Sequence, residues 1–209
     1  KLENGEPSYE IVEGVAYDFI ECNPSLLDRD DILYLGTLAL RGEKSRQTAM
    51  SLAEKTENIF IDINLRPPHY TKELTSGLLQ KARWLKLNIH ELRVIKEFFS
   101  IKGSGLEESL LALKKLFTIE SIILTDGANG SYFFEDELLF ESSKKPQKLL
   151  DTVGAGDAFS AMAILCIKRG IPSREMLKLG AKLSSKVCSI SGAISLEPEF
   201  YYEFKKELF

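Results

Sequence analysis

The chain has 209 residues, 44% of them hydrophobic and 28% charged, with 27 Lys and Arg against 31 Asp and Glu and a net charge of -4. That length supports one sizeable core, the acidic balance argues against a nucleic-acid partner, and no run approaches the ~18 apolar residues of a membrane span. Cys22, Cys166 and Cys188 are far apart and form no CxxC pair, and the histidines are only His69 and His90; this predicts reduced cysteines in a cytoplasmic protein, not a disulfide framework or a histidine-rich metal site.

The first residues read as a short strand, Tyr9–Val12, that begins in mid-pattern, so more chain is expected upstream of Lys1. Four short apolar runs follow as strands: "DDILYLGTL", "NIFIDINLRPP", "ARWLKLN" and "ESIILTDG". Helical patterns lie between them. "EKSRQTAMSLAEKT" puts Met50 and Ala53 on one face, "NIHELRVIKEFF" spaces Ile89, Leu92, Ile95 and Phe99 by helical turns, and "LEESLLALKKLF" repeats the pattern. Alternation of strand and helix predicts an α/β fold in three αβα layers, with a mostly parallel sheet and helices on both faces. After Thr125, "GSYFFEDELLFESS" reads as two strands turning at "EDE". Three helical stretches close the chain, the first two separated by Gly170 and Pro172.

The first of those helices opens with "DTVGAGD", Asp151 to Asp157. It is not a Walker A loop, and Phe159 stands where a dinucleotide fingerprint needs its third glycine. A glycine turn feeding a helix leaves the first backbone N–H groups open to an anion, here the charge that develops in phosphoryl transfer. Asp157 has two readings. It is a first-turn acid stabilised by the helix dipole, or a general base that takes a hydroxyl proton beside the phosphoryl group. From Ala158 to Ile167 only Ser160 is polar, which predicts a helix buried on every side. Arg66 lies just past a strand end, where α/β sheets bind ligands. Its guanidinium suits a γ-phosphate or an acidic sugar. Asp62 and Asn64 share a face by the period of two. "NIHE" reads as a capping box.

"DTVGAGDAF" resembles the signature of the ribokinase-like (PfkB) carbohydrate kinases. "IDINLRPP", "WLKLNIHEL", "ILTDGANGSYFF" and "CSISGAI" are similar to further elements of that family, in its order. The resemblance is nearest to bacterial fructokinase-type enzymes. It implies Asp157 as catalytic base, with Gly154, Ala155 and Gly156 as the anion hole. It also implies ATP at Thr125, Gly127, Gly130, Thr152, Ser184 and Cys188, and a sugar at Arg66, Asp62 and Asn64. Asn88 and Glu91 would hold Mg²⁺ through waters, and a monovalent cation would sit near Asp151 and the loop before Ala193. Residues 1–15 would be the remnant of a substrate lid, through which a homodimer could form, and residues 16–209 the nucleotide-binding core. The N-terminal strands and sugar-binding segment of the family are not matched, so this chain alone is expected to phosphorylate no sugar at a useful rate. Fructose is the expected acceptor, with 2-keto-3-deoxygluconate as the alternative. The reading of another class is a catalytically silent sugar- or nucleotide-binding regulator.

Overall fold

The computed structural model describes residues 2–3, 6–7, 11–146 and 148–208. Strand β1 (Leu2–Glu3) pairs antiparallel with β2 (Glu6–Pro7). The strand expected over Tyr9–Val12 lies half outside the described residues, and Ile11 and Val12 are irregular.

Six strands form the main sheet in sequential order: β3 (Leu33–Leu35), β4 (Ile59–Asp62), β5 (Trp84–Asn88), β6 (Ser121–Thr125), β7 (Ser131–Phe134) and β8 (Leu138–Glu141). β3 to β6 are parallel, and β7 and β8 return antiparallel around the "EDE" turn. Period-two alternation divides the sheet's two faces. Ile59, Ile61, Leu85, Leu87, Ile122 and Leu124 face one core; Phe60, Trp84, Ile123 and Phe133 face the other.

On the first face pack α1 (Glu43–Ala53), α2 (Lys72–Leu79), α3 (Ile89–Phe99) and α4 (Leu106–Phe117). On the second pack α5 (Ala155–Arg169), α6 (Ser173–Val187) and α7 (Tyr202–Leu208). The three layers match the expected fold class. The sequence reading did not foresee α2. Its N-cap Thr71 accepts from the Leu74 amide at 3.2 Å, and Leu78 and Leu79 anchor it; at roughly 1.5–3 kcal/mol per buried leucine, those contacts outweigh the ~1 kcal/mol that Gly77 costs.

One expectation is corrected. α5 is not buried on every side: Phe159, Met162, Ala163 and Cys166 face the sheet and α6, but Leu165 is 40% exposed. The sheet and α6 cover only its inner side, so an apolar residue remains on the outer one. Among the described residues no helix is long and apolar enough to cross a membrane.

The face that carries Phe60 and Trp84 also carries the next alternate residues, Asp62 and Lys86, which are register partners. Asp62 ends β4 and Lys86 lies two residues before the end of β5, both beneath the start of α5.

Candidate active site

The turn before α5 is set by Gly154, whose φ of +80° is left-handed. A side chain there would also collide with Ala193, whose Cα and Cβ lie 2.6 Å from the position a Cβ would take. The segment around Ala193 therefore closes directly onto the turn. Asp151 ties the two together: its carboxylate accepts from the Val153 amide at 3.0 Å and the Gly192 amide at 3.2 Å. Those backbone donors hold the Asp151 carboxyl below the usual range.

The Ala155 amide is turned toward the Thr152 carbonyl at 3.3 Å. Among the described residues no backbone carbonyl accepts from the amides of Gly156 or Asp157. These are the open donors of a 15-residue helix whose positive end faces the site. Asp157 is exposed, and among the described residues no group donates to its carboxylate.

Two cavities meet at this helix end. The smaller, about 390 Å³, is lined by Gly127, Gly130, Ala155, Phe159, Ala181, Ser184 and Cys188. The larger, about 980 Å³, is lined by Asp62, Asn64, Arg66, Asn88, Glu91, Gly154 and Asp157. Thr125, Thr152 and Gly156 belong to both. Every residue expected to act as base, anion hole, nucleotide, sugar or magnesium ligand thus lines one cavity or both, with Asp157 on the side of the larger, whereas Asp151, expected beside a monovalent cation, lines neither. Gly130 also serves the sheet: with φ +139°, its missing side chain makes room for the Glu141 carbonyl of β8.

Asn88 and Glu91 form the capping box. The Asn88 Oδ1 accepts from the amides of His90 and Glu91, each at 2.9 Å, and the Glu91 Oε2 accepts from the Asn88 amide at 2.7 Å. The Glu91 Oε1 accepts from Leu65 at 2.9 Å. Burial pushes the Glu91 carboxyl up against the pull of these donors. Both lone pairs of the Asn88 oxygen are taken, whereas each Glu91 oxygen retains one. The pair therefore fits a magnesium ion held through water by Glu91, and not direct ligation by Asn88.

Three polar residues went unrecognised in the sequence. Lys86 Nζ donates to Asp62 Oδ2 at 2.7 Å, with both side chains buried. Ser160 Oγ donates to the same oxygen at 2.6 Å, and the Tyr34 phenol at 3.4 Å. Burial and the Asp62 and Asp157 carboxylates push the Tyr34 phenol far above its usual range. A signal existed: Lys86 is the lone charge in the strand "WLKLN", two residues before Asn88, so it shares the Asn88 face. Arg41 was also passed over. Its guanidinium donates to Asp18 at 2.7 and 2.9 Å and to the carbonyls of Ile11 and Val12, and it lies 5.0 Å from the Tyr17 ring centre. It thereby pins residues 11–18, of which Val12, Val15 and Tyr17 line the larger cavity.

Comparison with known proteins gives a consistent picture. The family model described as pfkB family carbohydrate kinase matches residues 14–199. A 1-phosphofructokinase of Bacillus subtilis is 25% identical over 171 residues, which cover 80% of this chain and 54% of that protein. A 1-phosphofructokinase of Haemophilus influenzae is 31% identical over 121 residues, 56% of this chain and 38% of that protein. The chain spans about half the length of the curated relatives it matches. Among solved structures, the fructokinase of Vibrio cholerae O395 in its fructose-, ADP- and calcium-bound form superposes with a TM-score of 0.73 at 20% identity, over 92% of this chain and 67% of that one. At that identity the likeness is one of fold.

Proposed function

The chain belongs to the pfkB family of carbohydrate kinases, and from that premise we propose that it carries the phosphoryl-transfer centre of an ATP-dependent sugar kinase. The observation that carries this reading is the meeting of two cavities at one helix N-terminus, with a carboxylate on the larger side. The smaller cavity suits a nucleotide: its walls include Phe159 and Ala181, and its far end opens on the α5 amides. The larger, charged cavity suits the acceptor.

In this arrangement the acceptor hydroxyl lies between Asp157 and the γ-phosphorus. Asp157 takes the hydroxyl proton as the oxygen bonds to phosphorus and the bond to the ADP oxygen breaks. The open amides of Gly156 and Asp157 stabilise the charge on the transferring group. Magnesium held through water near Glu91 would offset phosphate charge. A monovalent cation beside Asp151 would add positive charge behind the turn.

The acceptor we propose is a ketohexose, either fructose or its 1-phosphate. The fructokinase and 1-phosphofructokinase relatives favour that pair, and Arg66, exposed on the larger cavity, suits the phosphorylated member. 2-Keto-3-deoxygluconate belongs in the same assay, because its carboxylate would meet Arg66 equally well.

The test is Asp157→Asn in the full-length protein. Turnover should fall at least ~10²-fold while ATP affinity holds. Undiminished turnover would remove Asp157 from the role of base. ATP binding without sugar-dependent ADP release from the wild type, across all three acceptors, would favour the silent regulator instead.

A further inference from the structure

One guanidinium nitrogen joins two walls of the larger cavity. Arg41 Nη1 lies 3.3 Å from the Ile11 carbonyl, on the wall that also holds Val12, Val15 and Tyr17. It lies 3.3 Å as well from Nε2 of His69, in the loop after β4 whose Arg66 and Pro67 form another wall. The His69 amide donates to the Arg66 carbonyl at 2.7 Å, so the ring and Arg66 are placed together. The His69 side chain is 12% exposed and lines neither cavity. A guanidinium donates and never accepts. His69 Nε2 must therefore be the acceptor, and the ring is neutral with its proton on Nδ1. That nitrogen lies 3.6 Å from Oε1 of Glu13, on the same segment as Ile11.

The groups that face the ring from other segments are Arg41, with Asp18 behind it, and Glu13; the Tyr17 phenol accepts from Arg41 Nη2 at 3.3 Å. In the ring's own loop Arg66 is exposed, while Tyr70 and Lys72 turn to Phe98 and Phe99 of α3. A charged ring would bring two cations against two carboxylates, so charge decides little. Geometry decides. A doubly protonated ring has no lone pair left on Nε2, and its N–H would point at an N–H of Arg41.

We infer that His69 is a positioning residue of the larger cavity: its neutral ring latches the Arg66 loop to residues 11–18 through Arg41, and protonation opens the latch. Histidine changes charge between about pH 5 and 8, so the cavity is held best at the alkaline end and loosens as pH falls. The kinase reading is needed only to say that the cavity receives the sugar.

Two measurements on the full-length protein test this. The first is hydrogen exchange at the amides of Gly14 and Asp18, which bond within the latched segment. Corrected for intrinsic rates, their protection should fall at least about threefold from pH 8 to pH 5 in the wild type. It should stay level in His69→Gln, whose amide oxygen can accept from Arg41 throughout. The second is the KM for the sugar, which should rise at least about threefold over that range in the wild type relative to His69→Gln, with kcat moving alike in both. Titration elsewhere in the site is common to both proteins. His69→Leu, which offers Arg41 no acceptor, should show low protection and high KM at both ends. Level protection in the wild type, or an equal fall in His69→Gln, overturns the latch. Protection that falls while the KM ratio stays constant overturns the positioning role. If His69→Gln does not fold, the wild type answers alone: the ring nitrogen shifts of His69 at pH 8 must show Nδ1 protonated and Nε2 bare, and the opposite tautomer overturns the inference. A latch that opens with pH in a protein that phosphorylates no sugar would end the kinase reading and leave the latch standing. A working sugar kinase with level protection and a constant KM ratio would do the reverse.

Discussion

Two aspartate–cation pairs flank the larger cavity, and they are built to opposite standards. At Asp18–Arg41 every partner is satisfied. The guanidinium grips the carboxylate twice and holds the carbonyls of Ile11 and Val12, and the carboxylate also accepts from the amides of Gly14 and Val15. At Asp62–Lys86, among the described residues, the carboxylate has three donors and the ammonium one acceptor. Both pairs have side chains less than 10% exposed, so burial does not distinguish them. Saturation does. A cation with all its donors engaged fixes the chain around it, while one with donors to spare beside a cavity can accept a ligand.

The largest separation should come from removing each cation. Arg41→Met deprives Asp18 and two carbonyls of their partner, and its melting temperature should fall by more than about 5 °C. The acceptor KM should rise with it, because Val12, Val15 and Tyr17 lose their anchor at the cavity. Lys86→Met leaves Asp62 with Ser160 and Tyr34, so the melting temperature should drop by less and turnover by more. Calorimetric melting and steady-state kinetics on both variants decide the matter. Equal thermal losses, or a greater kinetic loss in Arg41→Met, would erase the distinction between the pairs.

How much of this was legible in the sequence follows from the same contrast. The six strands of the main sheet were readable because apolar alternation is local, and the "EDE" turn because charge punctuates it. The capping box at Asn88 and Glu91 was readable because its partners are three residues apart. Helix α2 was hidden, since Gly77 and Thr75 weaken its pattern and only tertiary burial of Leu78 and Leu79 sustains it. Arg41 and Lys86 were hidden for a physical reason. Their partners lie 23 and 24 residues away, and a charge in a strand or loop ordinarily faces water. The exposed side of α5 was misread because apolar content alone does not say which neighbours are available to cover it.

A smaller effect is expected at the turn itself, which both cavities share. Gly154→Ala forces a side chain into φ +80° and against Ala193. The strain should cost about 1–3 kcal/mol, read by urea unfolding. Because Asp151 ties this turn to Gly192, ATP affinity should fall in the same variant while the Arg41 region is unaffected. A variant as stable as wild type would mean that the Ala193 segment can move aside, and the loop would then be adaptable and not fixed.

The smallest effect separates the two pairs by pH. The Arg41 guanidinium holds the Asp18 carboxyl down at about 2, against an ordinary value of 3.8. Between those values the unfolded chain binds the proton more readily than the folded one, so stability rises with pH across the window. The contribution of Asp18 is therefore fully present above about pH 4 and is lost as pH falls toward 2. Asp18→Asn should flatten that part of the stability curve, measured by denaturant unfolding between pH 2 and 5. If the acid limb of Asp18→Asn overlays that of the wild type, then Arg41 holds residues 11–18 through the carbonyls of Ile11 and Val12, and the charge of Asp18 adds nothing to it.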